Sequence, residues 1–327
     1  MYRFTRPASV AMMALLGLPL LALADDTLVL YTSQPNTDAQ QTVDAFQAAY
    51  PEIEVEWVRD GTTQLMARLQ AELSSGVVRP DVLLIADSVT MESLKRDDHL
   101  AAYESEEREA FDEGMYDPEG YYYGTKRITT GIVYNTRAAE QPERWQDLTQ
   151  PAYEGQVTMP SPLYSGAALI HLATLTDAPE LGWDYYEALA ENGVTAQGGN
   201  GGVLNDVASG NKAYGVIVDF LPIREAAKGA PVKFVFPEEG VSAVTEPVAI
   251  MKEAAHPEAA RKFVDFVLSR EGQELVLSQG YLPGRNDVDS PEGFPPREEI
   301  HVLPLDAQSA LEQAEAHKQR FAELFGG

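Results

Sequence analysis

Three successive strand–loop–helix units at the start of the chain limit its fold more than any other feature. Thr27-Leu28-Val29-Leu30-Tyr31 reads as a buried strand, followed by the polar loop Thr32 to Asp38 and a helix with Val43, Phe46 and Tyr50 on one face. Ile53 to Val58 alternates apolar with acidic residues as a second strand. Asp60-Gly61-Thr62-Thr63 then turns into a helix with Leu65, Met66, Leu69 and Leu73 at helical spacing. Pro80-Asp81-Val82-Leu83-Leu84-Ile85-Ala86 is a third strand, and Asp87-Ser88 opens the next helix. A strand apolar along its whole length suits a parallel sheet covered on both faces. Three such units in a row predict a doubly wound α/β domain. In that architecture ligands sit beyond the carboxyl ends of the strands. The loops expected there supply Thr32, Ser33, Gln34, Asn36, Thr62, Thr63, Asp87 and Ser88 as candidate binding residues.

At 327 residues the chain has length for two domains, each with its own core. Ile128 to Asn135, rich in β-formers, is a candidate crossover strand, and Val244 to Ile250 is expected to return beside it. The expected boundaries are 25–128 with 246–285 for one α/β domain, 129–245 for a second, and 286–327 for a C-terminal extension whose helix packs on the body. Lys126-Arg127 is a rare basic pair, read as a surface pair offsetting nearby glutamates.

The second domain carries the stretch from Val157 to His171. Pro160 and Pro162 block helix before Tyr164, Ser165 is a good N-cap, and an apolar run follows from Ala167. The first turn of such a helix has backbone N–H groups without intrahelical acceptors, at the positive end of the helix dipole. Tyr164, Ser165, Gly166 and Ala167 are therefore candidates for holding a small anion. Gly198-Gly199-Asn200-Gly201-Gly202 is expected to precede a helix beginning near Val203, with Asn200 and Gly201 able to approach a ligand closely. It fits neither GxGxxG nor a Walker A motif. Asp219, read as the end of a strand from Ala213 to Phe220, and Glu246 are acids able to meet an amine or sugar hydroxyls. Apolar stripes at Ala259, Phe263, Phe266 and Val267, and at Leu311, Ala314, Phe321 and Leu324, mark further core helices.

Residues 1–24 have the pattern of a secretory signal peptide: Arg3 and Arg6, an apolar run from Val10 to Leu23, and the small-x-small sequence Ala22-Leu23-Ala24. The mature protein is expected in the periplasm, beginning at Asp25. Cysteine is absent, which excludes thiol nucleophiles and thiolate metal sites. A formal net charge of −27 argues against a nucleic-acid partner. The dispersed acids read as a solvated shell, with adaptation to salt as the expected cause. The five histidines have no metal-ligand spacing, and neither GxSxG nor HExxH occurs. No catalytic residue, cofactor or bound metal is expected, and a secreted α/β hydrolase is the weaker class.

The chain resembles the type-2 periplasmic solute-binding proteins of ABC importers, in the branch holding ferric-iron, 2-aminoethylphosphonate and sugar-phosphate binders. The residues carrying this are Leu28-Val29-Leu30-Tyr31-Thr32-Ser33, Pro80-Asp81-Val82-Leu83, Gly131-Ile132-Val133-Tyr134-Asn135, Ser165-Gly166-Ala167, Glu246-Pro247-Val248-Ala249-Ile250, and Ala259 to Phe266 with Glu271-Gly272-Gln273. The resemblance implies two α/β domains joined by crossover strands, closing on a small molecule, with importer membrane subunits as partners; a monomer is expected. It departs from the iron binders where their Tyr-Tyr pair reads Asp219-Phe220, and where their anion-holding Arg reads Thr129 or Thr130, Thr129 being a candidate binding residue at that place. Phenolate oxygens suit a hard ferric ion, so their loss favours a phosphonate or phosphate ester, with iron as the alternative. Tyr185-Tyr186 reads as packing.

Overall fold

A computed structural model of the chain describes Met1, residues 26–86 and residues 88–326; the expected signal peptide after Met1, and Asp87, lie outside the described residues. The predicted units follow in order: β1 (Asp26–Thr32), α1 (Asn36–Ala49), β2 (Ile53–Arg59), α2 (Thr62–Ser75), β3 (Val82–Leu84) and α3 (Ser88–Arg96). β2 and β3 flank β1 in parallel, with Thr32 opposite both Arg59 and Leu84. The alternation read in β2 is real: Ile53 and Val55 are buried while Glu54 and Glu56 are exposed. Two short strands, β4 (Leu100–Ala101) and β5 (Tyr123–Gly124), precede the crossover.

The second sheet is built on β6 (Lys126–Asn135). The chain continues through β7 (Val157–Met159), α4 (Gly166–Asp177), α5 (Gly182–Glu191), β8 (Thr195–Ala196), α6 (Asn200–Ser209), β9 (Tyr214–Val218), α7 (Phe220–Ala227), β10 (Val232–Val235) and β11 (Ser242–Val244). It then returns as β12 (Pro247–Met251) and ends with α8 (Pro257–Leu268), α9 (Arg270–Ser278), β13 (Leu282–Pro283) and α10 (Ala307–Phe325). The first sheet has the order β2-β1-β3-β12-β4, with β5 also on β12; the second runs β10-β6-β9-β7-β8, with β11 and β13 also on β6. Both sheets are mixed, since β12 runs antiparallel to β3 and β6 antiparallel to β9. This is the two-domain α/β architecture expected.

Outgoing and returning chains meet at the crossover, where Thr125 N–H donates to Thr245 O at 2.9 Å and Thr125 Oγ1 to Glu246 O at 2.9 Å. The strand read from Val244 to Ile250 is broken at Glu246, whose φ of 41° ends one ladder and starts another. One core sits under the first sheet, with Phe46 of α1 edge-on to Phe263 at 5.0 Å and Phe266 at 5.6 Å. A second fills the other domain around Trp145, Tyr185, Tyr186 and Phe321. α10 lies on α4 and α5, and Ala310 joins a cluster with Val89 of α3, so the C-terminal helix touches both domains.

Lys126 corrects the surface reading: it is 1% exposed, with Nζ 2.5 Å from Glu246 Oε2 and 4.1 Å from the Tyr281 ring centroid. Its partner is distant in sequence and is brought to it only by the returning crossover.

Candidate functional site

A cavity of ≈ 470 Å³ lies between the two domains. The first domain lines it with Ser33, Pro35, Arg59, Gly61, Thr62 and Ala86, and the second with Tyr164 to Ala167, Gly198 to Gly202, Val218, Phe220 and Leu221. Ile128, Glu246 and Tyr281 complete it near the crossover.

Among the helices that begin at this cavity are α2, α4 and α6. α4 starts as the sequence predicts: Ser165 is its N-cap, and its Oγ accepts from Ala168 N–H at 3.3 Å. The first-turn N–H groups of Gly166 and Ala167 have no intrahelical acceptor. α6 begins at Asn200 and not near Val203, so Gly201 and Gly202 lie inside its first turn, behind Gly199 as cap. Their low helix propensity reads as loop, but Asn200 anchors the turn: its Oδ1 accepts from Val218 N–H at 3.1 Å and its Nδ2 donates to Ser165 Oγ at 3.4 Å. The starts of α4 and α6 are thus tied to each other and to β9. α2 begins at Thr62, with Gly61 before it. Each helix presents the positive end of its dipole to the same volume.

Arg59, absent from the expected set, adds a full positive charge. It ends β2, directly beside Thr32 in the ladder, and its Nε donates to Gln34 O at 2.8 Å. No carboxylate pairs with it among the described residues. The carboxyl-end rule that selected the Thr32 loop applies equally to the end of β2, so register was the signal for Arg59.

Of the candidate residues, Ser33, Thr62, Tyr164, Ser165, Gly166, Ala167, Asn200, Gly201 and Glu246 line the cavity. Thr32 and Gln34 sit behind it: Thr32 Oγ1 accepts from Gln34 N–H at 3.1 Å, and Gln34 Nε2 donates to Glu246 Oε2 at 3.1 Å. Asn36 is exposed at the start of α1, and Thr63 and Ser88 sit in the first turns of α2 and α3 outside the lining. Asp87 lies outside the described residues.

Asp219 and Thr129 differ most from the expectation. β9 ends at Val218, and Asp219 turns inward as the N-cap of α7. Its Oδ2 accepts from Thr129 N–H at 2.8 Å and Thr129 Oγ1 at 2.7 Å, and its Oδ1 accepts from Phe220 N–H at 2.6 Å. Burial pushes the carboxyl up to about 6, with these hydrogen bonds pulling the other way. Both residues are bound to each other behind the wall, and neither lines the cavity.

Tyr185 and Tyr186 pack in the second core, their rings 5.5 Å apart and edge-on, and neither lines the cavity. Among the described residues, no group of three or more His, Cys, Asp or Glu side chains is placed to hold a metal ion.

The family model for bacterial extracellular solute-binding proteins matches residues 79–309. The chain belongs to that family. It is a solute-binding component of an ABC importer, of a kind that works outside the cytoplasmic membrane and hands small molecules to membrane subunits. The Fe(3+)-binding periplasmic protein of Serratia marcescens is 24% identical over 93% of this chain and 90% of its own. In fold the chain is similar to the periplasmic binding protein AfuA from Actinobacillus pleuropneumoniae, whose structure holds fructose-6-phosphate. The TM-score is 0.84 at 22% identity, covering 92% of this chain and 99% of that one. Iron-bound HitA from Pseudomonas aeruginosa gives a TM-score of 0.79 at 23% identity, over 90% and 99% of the two chains.

Proposed function

We propose that the interdomain cavity takes a small organic anion carrying a phosphoryl group, a phosphate ester or phosphonate, and that the two domains close on it for delivery to the importer. The observation that carries this is the convergence on one volume of the N-termini of α2, α4 and α6 and of Arg59, which has no carboxylate partner among the described residues, in a chain of net charge −27. Positive potential there is local and built against the overall charge, which suits an anionic cargo.

Glu246 addresses the rest of the ligand. Its Oε2 already faces Lys126 and Gln34, so its charge is matched inside the protein. It can still accept hydrogen bonds, and a hydroxyl asks only that, whereas an ammonium gains most from an unmatched charge. This favours a polyol phosphate over an aminophosphonate, and AfuA, with fructose-6-phosphate bound, shares the fold. Ferric iron is disfavoured, because of the two tyrosines in the lining Tyr281 gives its hydroxyl to Asp38 at 2.5 Å, and Arg59 repels a cation.

The test is a thermal-shift screen of the mature protein with fructose 6-phosphate, 2-aminoethylphosphonate, inorganic phosphate and ferric citrate. A ligand at 100 times its Kd stabilises by about 2.7 kcal/mol, a readily seen shift. The reading expects shifts with phosphoryl compounds, largest for the sugar phosphate. A shift with ferric citrate alone overturns it.

A further inference from the structure

We propose that Asp38, Arg224 and Tyr281 are positioning residues that register the two domains against each other and so shape the cavity wall. Asp38 belongs to the first turn of α1 in the first domain, and Arg224 to α7 in the second. Arg224 Nη1 lies 3.0 Å from Asp38 Oδ2 and 3.3 Å from Oδ1, across the domain boundary. Tyr281, on the segment between α9 and β13, donates its hydroxyl to the same Oδ2 at 2.5 Å.

The contact is tied directly to the lining. The Arg224 guanidinium lies 4.4 Å from the Tyr281 ring centroid and 4.5 Å from that of Phe220, and those two rings are 4.3 Å apart. Both rings face the cavity. Gly280 makes room for this stack, since a Cβ there would stand 3.2 Å from Arg224 Nε at a φ of +77°. Tyr281 also receives Lys126 Nζ at 4.1 Å, which connects the network to the Lys126–Glu246 pair at the crossover. Gln279 Nε2 donates to the Asp38 carbonyl at 3.1 Å, holding α1 from the other side.

A pair serving only fold stability would leave fewer donors unused. Arg224 Nε and Nη2 are buried without hydrogen-bond partners among the described residues, a costly arrangement in an interior. It makes sense where a planar cation must lie against two adjoining rings and reach one carboxylate across a boundary. The inference concerns how the walls are set and does not depend on which solute they enclose.

The test uses the absence of cysteine in the chain. Val77→Cys and Ser209→Cys, both exposed and one on each domain, take a donor–acceptor dye pair for single-molecule energy transfer. Asp38→Asn and Arg224→Gln are expected to shift or broaden the interdomain distance distribution relative to the parent, and Tyr281→Phe, which keeps the ring, to do so less. With fructose 6-phosphate as probe, Kd should rise roughly fivefold or more, the lower end of ordinary coupling between sites. Unchanged distributions in all three variants, with only a lower Tm, overturn the proposal. If Asp38→Asn does not fold, Arg224→Gln and Tyr281→Phe decide. If the parent binds no fructose 6-phosphate, the proposed ligand fails, while the distance distributions still judge this network.

Discussion

Arg59 holds its Nε on the Gln34 carbonyl at 2.8 Å and is an exposed residue of the cavity lining. A charge-assisted hydrogen bond is worth about 1.5–3 kcal/mol, so Arg59→Gln should weaken a phosphorylated ligand roughly ten- to hundredfold. Its own exposure predicts little change in Tm. Calorimetric titration with fructose 6-phosphate checks this, and an unchanged Kd would remove Arg59 from the site. Residues of this kind were only partly legible. Ser165, Gly166 and Ala167 follow from cap chemistry, which is local. Asp219 was misread because its partners, Thr129 N–H and Oγ1, arrive through a neighbouring strand of the sheet. Lys126 was misread for the same reason, its carboxylate partner lying far along the chain.

At the scale of elements, patterning carried most of the fold. The apolar run in β3, the alternation in β2 and the two prolines before α4 are decided by neighbours in sequence, so they could be read directly. The start of α6 was not legible, because Gly201 and Gly202 argue against helix until Asn200 is seen clamped between Val218 and Ser165. α4 carries a further consequence. His171 lies on its buried side, with Nδ1 2.9 Å from Ser242 Oγ of β11 and its ring 4.9 Å from that of Trp145. Burial drives its pKa from the usual 6.5 down to about 3. The ring is neutral in the fold and gains a proton on unfolding, so its contribution to stability is present above pH 6.5 and is lost as pH falls from 6.5 towards 3. The slope for one such group is at most about 1.4 kcal/mol per pH unit. Asp219 acts in the opposite sense: its raised pKa favours the fold below pH 3.8, and that contribution is lost as pH rises through about 6. Denaturant unfolding of His171→Gln should therefore show a smaller loss of stability between pH 7 and pH 4 than the parent. Parallel curves would mean that His171 is accessible to protons in the folded chain.

For the whole molecule, the balance of 51 acidic against 24 basic residues sets two properties with opposite responses to salt. Many of the ion pairs among the described residues, such as Arg270–Glu274 and Lys228–Glu225, are exposed, and pairs of that kind offset little of the mutual repulsion. Salt shortens the screening length from about 30 Å at 0.01 M to about 3 Å at 1 M, so repulsion among dispersed acids fades. Stability should rise with sodium chloride across that range, seen as a higher Tm. Attraction between Arg59, the helix N-termini and an anion is screened by the same ions, so affinity for fructose 6-phosphate should fall over the same series. The buried Lys126–Glu246 pair and the partly buried Arg224–Asp38 pair are screened much less and should hold throughout. The opposed trends are diagnostic: a flat Tm would show that the acidic shell exerts no strain on the fold, and a flat Kd would show that the ligand is not held by charge. An affinity that instead rises with salt would mean that long-range repulsion from the −27 surface outweighs the local attraction built at the cavity, placing control of binding with the whole molecule and not with Arg59.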